Sequence, residues 1–412
     1  MAQRRKARNP VTRLFRVFWK KSKTLKRLVF PPELIPFTAH TAQGATVAAF
    51  FADPPSKIYQ ISQWIPVFEK APAHLRPVIV TRHAATTEEL QKITSLLVIH
   101  ARTYDLLMQL LEISQFKALI YVNNSYQNFQ TLAYQQAAHI HVNHGESDKI
   151  SMVSNQAKSY DKVFVAGAAA KDRYMSAVAW LDDKKLIPIG RPQLDLETTP
   201  ILEKSNLKTI TYAPTWEGED EANNYTSMDC YAVSIIDSAL AQSGCRVVYK
   251  PHPRILDSKD PKINSAHKYI VNKLSRGPHE IHLTGNILSV LKDTDLLISD
   301  ISSVTLDYLY LRPSGAIFLS DRRNSRVELE AESPVAKAAY IIDGSSLAQL
   351  SQTLSKVLAH DELFNQRQEV CRYYFGGIAA GASTAAFYRE LEKTIAEHDS
   401  AVSQLSRVRR SH

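Results

Sequence analysis

Four short segments carry residue types that handle phosphate. Lys250-Pro251-His252-Pro253-Arg254 sets two permanent cations beside one titratable imidazole, all within about 15 Å of chain. Arg grips a phosphate or pyrophosphate bidentately, and the prolines stiffen the loop. Without a ligand, the same segment reads as a rigid loop with solvated charges. In Asp295–Pro313, the apolar Leu296-Leu297-Ile298 is followed by Ser299-Asp300-Ile301-Ser302-Ser303 and then by a helix expected from about Val304. Asp307 falls one turn into that helix, and Arg312-Pro313 follows it. Free N–H groups at a helix start, joined by serine hydroxyls, suit a phosphate. Ser is equally a favoured N-cap, so Ser302 or Ser303 also reads as a cap with no ligand.

The other two segments are His144-Gly145-Glu146-Ser147 and Tyr212-Ala213-Pro214-Thr215-Trp216-Glu217-Gly218. An imidazole with a near-neutral pKa at a strand end is suited to general-base work. Gly145 permits close backbone approach. The plain alternative is a polar loop with a surface histidine. His139 and His141 alternate with Ile140 and Val142 and have no Cys or acid partner at ligand spacing. They are expected on the sheet flanks and not on a metal. Pro214 stops a strand, Thr215 offers a hydroxyl, and Trp216 either stacks on a ring or seals a cleft.

These segments need strands to position them. Apolar runs of strand length occur at Ala45–Phe51, Val78–Val80, Ala118–Val122, His139–Val142 and Val163–Val165. A helix is predicted over Glu88–His100, with Thr86 and Glu89 at capping-box spacing and Leu90, Ile93, Leu97 and His100 in helical register. A second set of strands is predicted at Thr209–Tyr212, Arg246–Tyr249, Ile281–Leu283, Leu296–Ser299, Ala316–Leu319 and Tyr340–Ile342. Asp195–Leu207, with Pro200 and Asn206, reads as a linker. Strands alternating with helices imply parallel sheets covered on both faces. The α/β fold is therefore expected as two successive parallel units, with all four segments at strand carboxyl ends, where such sheets bind ligands. The expected divisions are an arm at 1–36, a first unit at 37–195, a second at 200–355, C-terminal helices at 356–396 and a basic tail at 397–412. The stretch Leu347–Ile395 reads as mainly helical, and Arg407, Arg409 and Arg410 as part of a disordered tail.

A chain of 412 residues with 44% hydrophobic and 22% charged content fits a soluble protein of two domains. Its net charge of +9 is concentrated. Residues 1–30 hold eleven Lys and Arg and no acid, leaving 39 basic against 41 acidic residues elsewhere. Val11, Leu14, Phe15, Phe18, Leu25, Leu28 and Val29 recur there at roughly helical spacing beside Trp19. A cationic amphipathic helix with aromatic anchors is expected to lie on anionic lipid. A nucleic-acid arm and a solvated tail are the competing readings. Cys230, Cys245 and Cys371 have no metal or redox spacing and read as reduced. No secretory leader or membrane span is read. Walker A, GxGxxG and GxSxG motifs are missing, which argues against an ATPase, a dinucleotide oxidoreductase and an α/β-hydrolase. No acid cluster with Mg²⁺ or Ca²⁺ spacing is read, and no metal or other cofactor is expected.

Taken together and in order, HGxxxK (His144, Gly145, Lys149), APTW (Ala213–Trp216), KPHP (Lys250–Pro253) and LISDxSSVxxDYxxLxRP (Leu297–Pro313) resemble the CDP-glycerol glycerophosphotransferases of teichoic-acid and capsule synthesis. The resemblance covers roughly residues 118–320. It implies a GT-B fold, two Rossmann-like domains facing across a cleft, with the acceptor on the first and the CDP-polyol donor on the second. It implies essential roles for His144 and His252, with Ser302, Ser303 and Asp300 on the donor phosphates. Gly145, Lys149, Thr215, Trp216, Lys250, Arg254 and Asp307 are the further substrate-binding candidates. The implied reaction transfers glycerol phosphate, or another polyol phosphate, to a hydroxyl of a lipid-linked saccharide or polyol-phosphate acceptor, releasing CMP. The implied location is peripheral, on the cytoplasmic face of the plasma membrane, with no nucleic-acid partner. The runner-up is a GT-B glycosyltransferase using a nucleotide sugar. The sequence departs from the family pattern at Glu146 and over 321–334.

Overall fold

The computed structural model describes residues 37–38, 40–149, 152–196, 199–378 and 381–410. The expected arm at 1–36 lies outside the described residues.

Seven strands form the first sheet: β1 (Val47–Phe51), β2 (Val78–Thr81), β3 (Val98–His100), β4 (Ala118–Tyr121), β5 (Ala138–His141), β6 (Lys162–Val165) and β7 (Leu186–Pro188). Six form the second: β8 (Lys208–Ala213), β9 (Cys245–Tyr249), β10 (Glu280–Ile281), β11 (Leu296–Ser299), β12 (Ala316–Ser320) and β13 (Tyr340–Ile342). The spatial orders are β3-β2-β1-β4-β5-β6-β7 and β10-β9-β8-β11-β12-β13. All their pairings are parallel, for example β1 with β4 and β11 with β8. Each central strand is buried on both faces. Along β1, Val47, Ala49 and Phe51 pack into one core while Ala48 and Phe50 pack into another. Leu296 and Ile298 of β11 likewise part from Leu297. A parallel sheet sandwiched by helices needs such continuous apolar strands.

Register sets the site. Ser299 at the end of β11 lies beside Ala213 of β8 and Leu319 of β12, and Tyr212 of β8 lies beside Tyr249 of β9. The residues that follow these strands therefore emerge together.

Two expectations are corrected. The helix expected over Glu88–His100 is a shorter one, Ala84–Leu90, followed by a turn and β3. Its N-cap is His83, and the Thr86 hydroxyl donates to the Asp53 carbonyl (2.8 Å) instead of capping. A short apolar run such as Val98-Ile99 fits a buried strand or a helix equally by pattern. At the other end, one helix runs from Ser383 to Arg410 through the segment expected to be a tail. No Gly or Pro interrupts it. This helix also crosses back to the first domain. Phe387, Tyr388 and Leu391 join the core of Val47, Trp64 and Phe164, and the Tyr388 hydroxyl donates to the Val67 carbonyl (2.7 Å). Asp195, at the start of the linker, holds the turn before the helix by accepting from the N–H groups of Gly381 (3.0 Å) and Thr384 (2.6 Å).

Candidate active site

The helix Ser303–Leu311 starts directly after β11, with Ser302 at its N-cap position. The Ser302 side chain caps nothing there. It is 9% exposed, and its hydroxyl has no hydrogen-bond partner. A buried, unsatisfied hydroxyl costs free energy. Beside the free N–H groups of a helix start, it is the donor an entering phosphate would use. The cap reading therefore fails on geometry at Ser302. Ser303, the first helical residue, lies half-buried next to it.

Asp300 stands one step below. It is fully buried. Its carboxylate accepts the Thr215 N–H (2.7 Å) and the Ser320 hydroxyl, and burial pushes its pKa up. Those contacts consume the group, so Asp300 positions the ends of β8 and β12 instead of touching phosphate. The Thr215 carbonyl accepts the Thr226 hydroxyl (2.7 Å), which fixes the turn further.

The Lys250–Arg254 segment flanks this floor. The His252 N–H donates to the Pro214 carbonyl (3.0 Å), and its Nδ1 accepts the Arg254 N–H (3.2 Å). With Nδ1 an acceptor, the proton of the neutral ring sits on Nε2 and is free to be donated. Burial, then the nearby charges of Lys149, Arg254 and Lys250, lower the His252 pKa to about 4. Lys250 is itself buried, which lowers its pKa. The Arg254 guanidinium lies 3.5 Å from the Trp216 ring centroid, so Trp216 serves as the plate that holds this cation.

Across the cleft, Asn143 at +54° φ turns the chain after β5 and presents His144. The turn is tied down by the Trp64 indole, which donates to the Asn143 carbonyl (2.6 Å). The His144 ring meets Tyr59 edge-on at 6.0 Å, and its Nδ1 is buried without a partner. Burial, then the Arg191 charge, lower its pKa to about 4. His144 is thus neutral near pH 7 and open to a proton. Gly145 lies where the two domains approach each other: a Cβ there would stand 3.8 Å from the Ser303 Cβ. Lys149 completes the closure by donating from Nζ to Thr215 Oγ1 (3.2 Å).

The unusual Glu146 is explained by Arg173, which pairs with Glu146 (2.7 Å) and Asp148 (2.6 Å). Asp148 also accepts from Ser333, in the divergent segment (2.7 Å), and from Tyr374. Asp307, a substrate-binding candidate in the sequence, is instead buried in an ion pair with Arg191 (2.6 Å). It joins the helix Ser303–Leu311 to the loop after β7, and its carboxylate is taken up by that pair. Arg191 and Arg173 escaped the sequence reading because each acts through acids on other elements, Asp307 for Arg191 and Glu146 with Asp148 for Arg173. His139 and His141 are buried, the former between Tyr121 (2.6 Å) and the Tyr134 carbonyl (2.9 Å) and the latter stacked on Tyr160. Among the described residues, no group of three or more His, Cys, Asp or Glu could hold a metal ion.

Two parallel-sheet domains facing each other across these loops define the GT-B class. Solved structures agree. The wall teichoic acid polymerase TagF is 13% identical, with a TM-score of 0.57 over 92% of this chain and 98% of that one. TagF soaked with CDPG gives 14% identity and a TM-score of 0.57 over the same shares. UDP-GlcNAc 2-epimerase from Neisseria meningitidis, bound to UDP-GlcNAc, is 11% identical with a TM-score of 0.58 over 84% of this chain and 99% of that one. No curated protein sequence matches the chain. Residues 83–324 match the family CDP-Glycerol:Poly(glycerophosphate) glycerophosphotransferase. The chain belongs to this family and is a transferase.

Proposed function

We propose that the protein transfers glycerol phosphate from CDP-glycerol to a hydroxyl of a lipid-linked acceptor in teichoic-acid or capsule-type polymer synthesis. The family supports the donor and the reaction class. The observation that carries the site is the buried, unpartnered Ser302 hydroxyl at a helix start, next to Ser303, whose Cβ would stand 3.8 Å from a Cβ built on Gly145 of the His144 loop.

In this mechanism the donor pyrophosphate lies on Ser302, Ser303 and the first N–H groups of their helix, whose dipole contributes roughly half a positive charge. The acceptor hydroxyl attacks the phosphorus bearing the glycerol. An O–P bond forms, the P–O bond to the CMP phosphate breaks, and the hydroxyl proton passes to neutral His144. His252 Nε2–H, Lys250 and Arg254 stabilise charge on the phosphoryl oxygens and the departing CMP. Bound phosphate charge also raises the His144 pKa, which makes it a stronger base once the donor is in place.

Membrane attachment through residues 1–30, at the cytoplasmic face, is part of the proposal and rests on their charge and amphipathic pattern. No helix among the described residues is long and apolar enough to cross a membrane. The deciding experiment incubates the protein with CDP-glycerol or CDP-ribitol and a lipid-linked acceptor. CMP release with acceptor extension supports the reading. A product containing transferred sugar, with nucleoside diphosphate released from a nucleotide sugar, overturns it.

A further inference from the structure

His144 is placed by its loop. Residues 142–149, which follow β5, lie in no helix or strand. The His144 Nδ1 is buried without a partner, so that side of the ring does not fix its position. The imidazole therefore goes where the backbone carries it. A shift of about 1 Å at a reacting group can cost about a hundredfold in rate. The anchors of this backbone thus bear on chemistry.

The front anchor is Trp64 on the Asn143 carbonyl. The rear anchor is ionic. Glu146 and Asp148 stand two and four residues beyond His144, and both are buried. Arg173, on the helix Ala168–Ala177, answers both: Nη1 donates to Glu146 (2.7 Å) and Nη2 to Asp148 (2.6 Å). The second Asp148 oxygen is taken from outside the first domain. It accepts the hydroxyl of Ser333 (2.7 Å) and that of Tyr374, on the helix Phe364–Phe375. The Tyr374 hydroxyl in turn accepts the Val335 N–H (3.1 Å). That helix also presses on the start of the one bearing Arg173, where a Cβ at Gly167 would stand 2.3 Å from the Tyr374 carbonyl oxygen. Both places where the sequence departs from the family pattern, Glu146 and the segment 321–334, therefore meet on one cluster.

We propose that Arg173 is a positioning residue for His144, acting through Glu146 and Asp148, and that Ser333 ties this placement to the second domain. The role rests on the reading of His144 as general base. Through Asp148 and Ser333, the imidazole is set relative to the domain that carries Ser302 and Ser303, and so relative to the phosphorus under attack.

The test is a double-mutant cycle with His144. Arg173→Lys keeps the charge but cannot fork to two carboxylates. Ser333→Ala removes one hydroxyl and leaves Arg173 in place. Each is made alone and together with His144→Ala. The readouts are kcat for CMP release, KM for CDP-glycerol and melting temperature. Arg173→Lys is expected to lower kcat about ten- to a hundredfold, and Ser333→Ala about two- to tenfold, the worth of one hydrogen bond. The CDP-glycerol KM should stay unchanged, because Ser302 and Ser303 are untouched. In the His144→Ala background neither change should lower kcat further, as expected of residues acting as a unit. A purely structural role would lower the melting temperature and spare kcat. No loss of kcat, or equal losses in both backgrounds, overturns the positioning role and leaves His144 as the base. Full turnover by His144→Ala alone overturns the base reading and this role with it. Should Arg173→Lys fail to fold, the Ser333→Ala cycle decides by the same outcomes.

Discussion

Lys149 of the first domain and Thr215 of the second are joined by a 3.2 Å hydrogen bond, and the N–H of the same Thr215 is held by buried Asp300. The contact runs on through Ser320 to the end of β12. One row of polar groups thus connects the histidine-bearing loop to the floor of the phosphate corner.

Replacing His144 or His252 by Ala should lower kcat by about 10²–10⁴-fold with little change in melting temperature. Steady-state CMP release with thermal melts on the same samples checks this. Full turnover in either variant removes that histidine from the mechanism. The acid limb of kcat/KM, which reports the free enzyme, should fall below pH 6.5, because both rings titrate near 4.

Acid should destabilise the fold over a defined window. His141, His144 and His252 are each lowered to about 4 in the folded chain, all chiefly by burial, against about 6.5 when unfolded. The unfolded state then binds more protons between these values. Stability is fully present above pH 6.5 and is lost as pH falls towards 4, by about 1 kcal/mol per pH unit for each histidine. Urea midpoints measured from pH 7 to 4.5 should show this slope. His141→Phe, which fills the place against Tyr160 without a titrating group, should flatten it.

Ser302→Ala should raise the CDP-glycerol KM about tenfold. It should leave stability near that of the parent, since no capping bond is lost. An ordinary N-cap serine costs about 1 kcal/mol when removed. A stability loss of that size with an unchanged KM would restore the cap reading.

Breaking the Arg191–Asp307 pair should cost about 3–5 kcal/mol, because one charge stays buried alone. Arg191→Met and Asp307→Leu are each expected to lower the denaturation midpoint sharply. The double variant should recover much of the loss. Additive losses would show that the pair is not a unit.

Deleting residues 1–30 should abolish co-flotation with anionic vesicles while sparing activity on a soluble acceptor analogue. Flotation that persists after the deletion assigns attachment to another surface.

Much of the architecture is legible locally. The four phosphate-handling segments end strands, and strand ends are marked by the switch from apolar runs to Pro, Gly, Ser and charge. What escaped depends on distance along the chain or on pattern ambiguity. β3 hides in a helical period. β7 is an edge strand that ends in Pro188, tolerated only at an edge. Asp307 looks like a site residue because it follows Ser302 and Ser303, but its partner, Arg191, lies 116 residues away. Asp300 sits at the right strand end, yet its burial beneath Thr215 and Ser320 is set by three strands that no single segment describes. Ser302 was legible as a candidate. That its hydroxyl lacks a partner became visible only in three dimensions.

The returning C-terminal helix changes the order in which the molecule can be completed. Val67 and Tyr388 stand 321 residues apart in the chain, and the Trp64 ring packs 5.3 Å from Phe387. A ribosome delivers the strands of the first domain before the second domain and this wall after it. During synthesis, the apolar face over β1 and β6 waits uncovered while the whole second domain is made. The first domain is therefore sealed only after the second has been made, and a nascent chain stalled before Phe387 carries both sheets but no finished first domain.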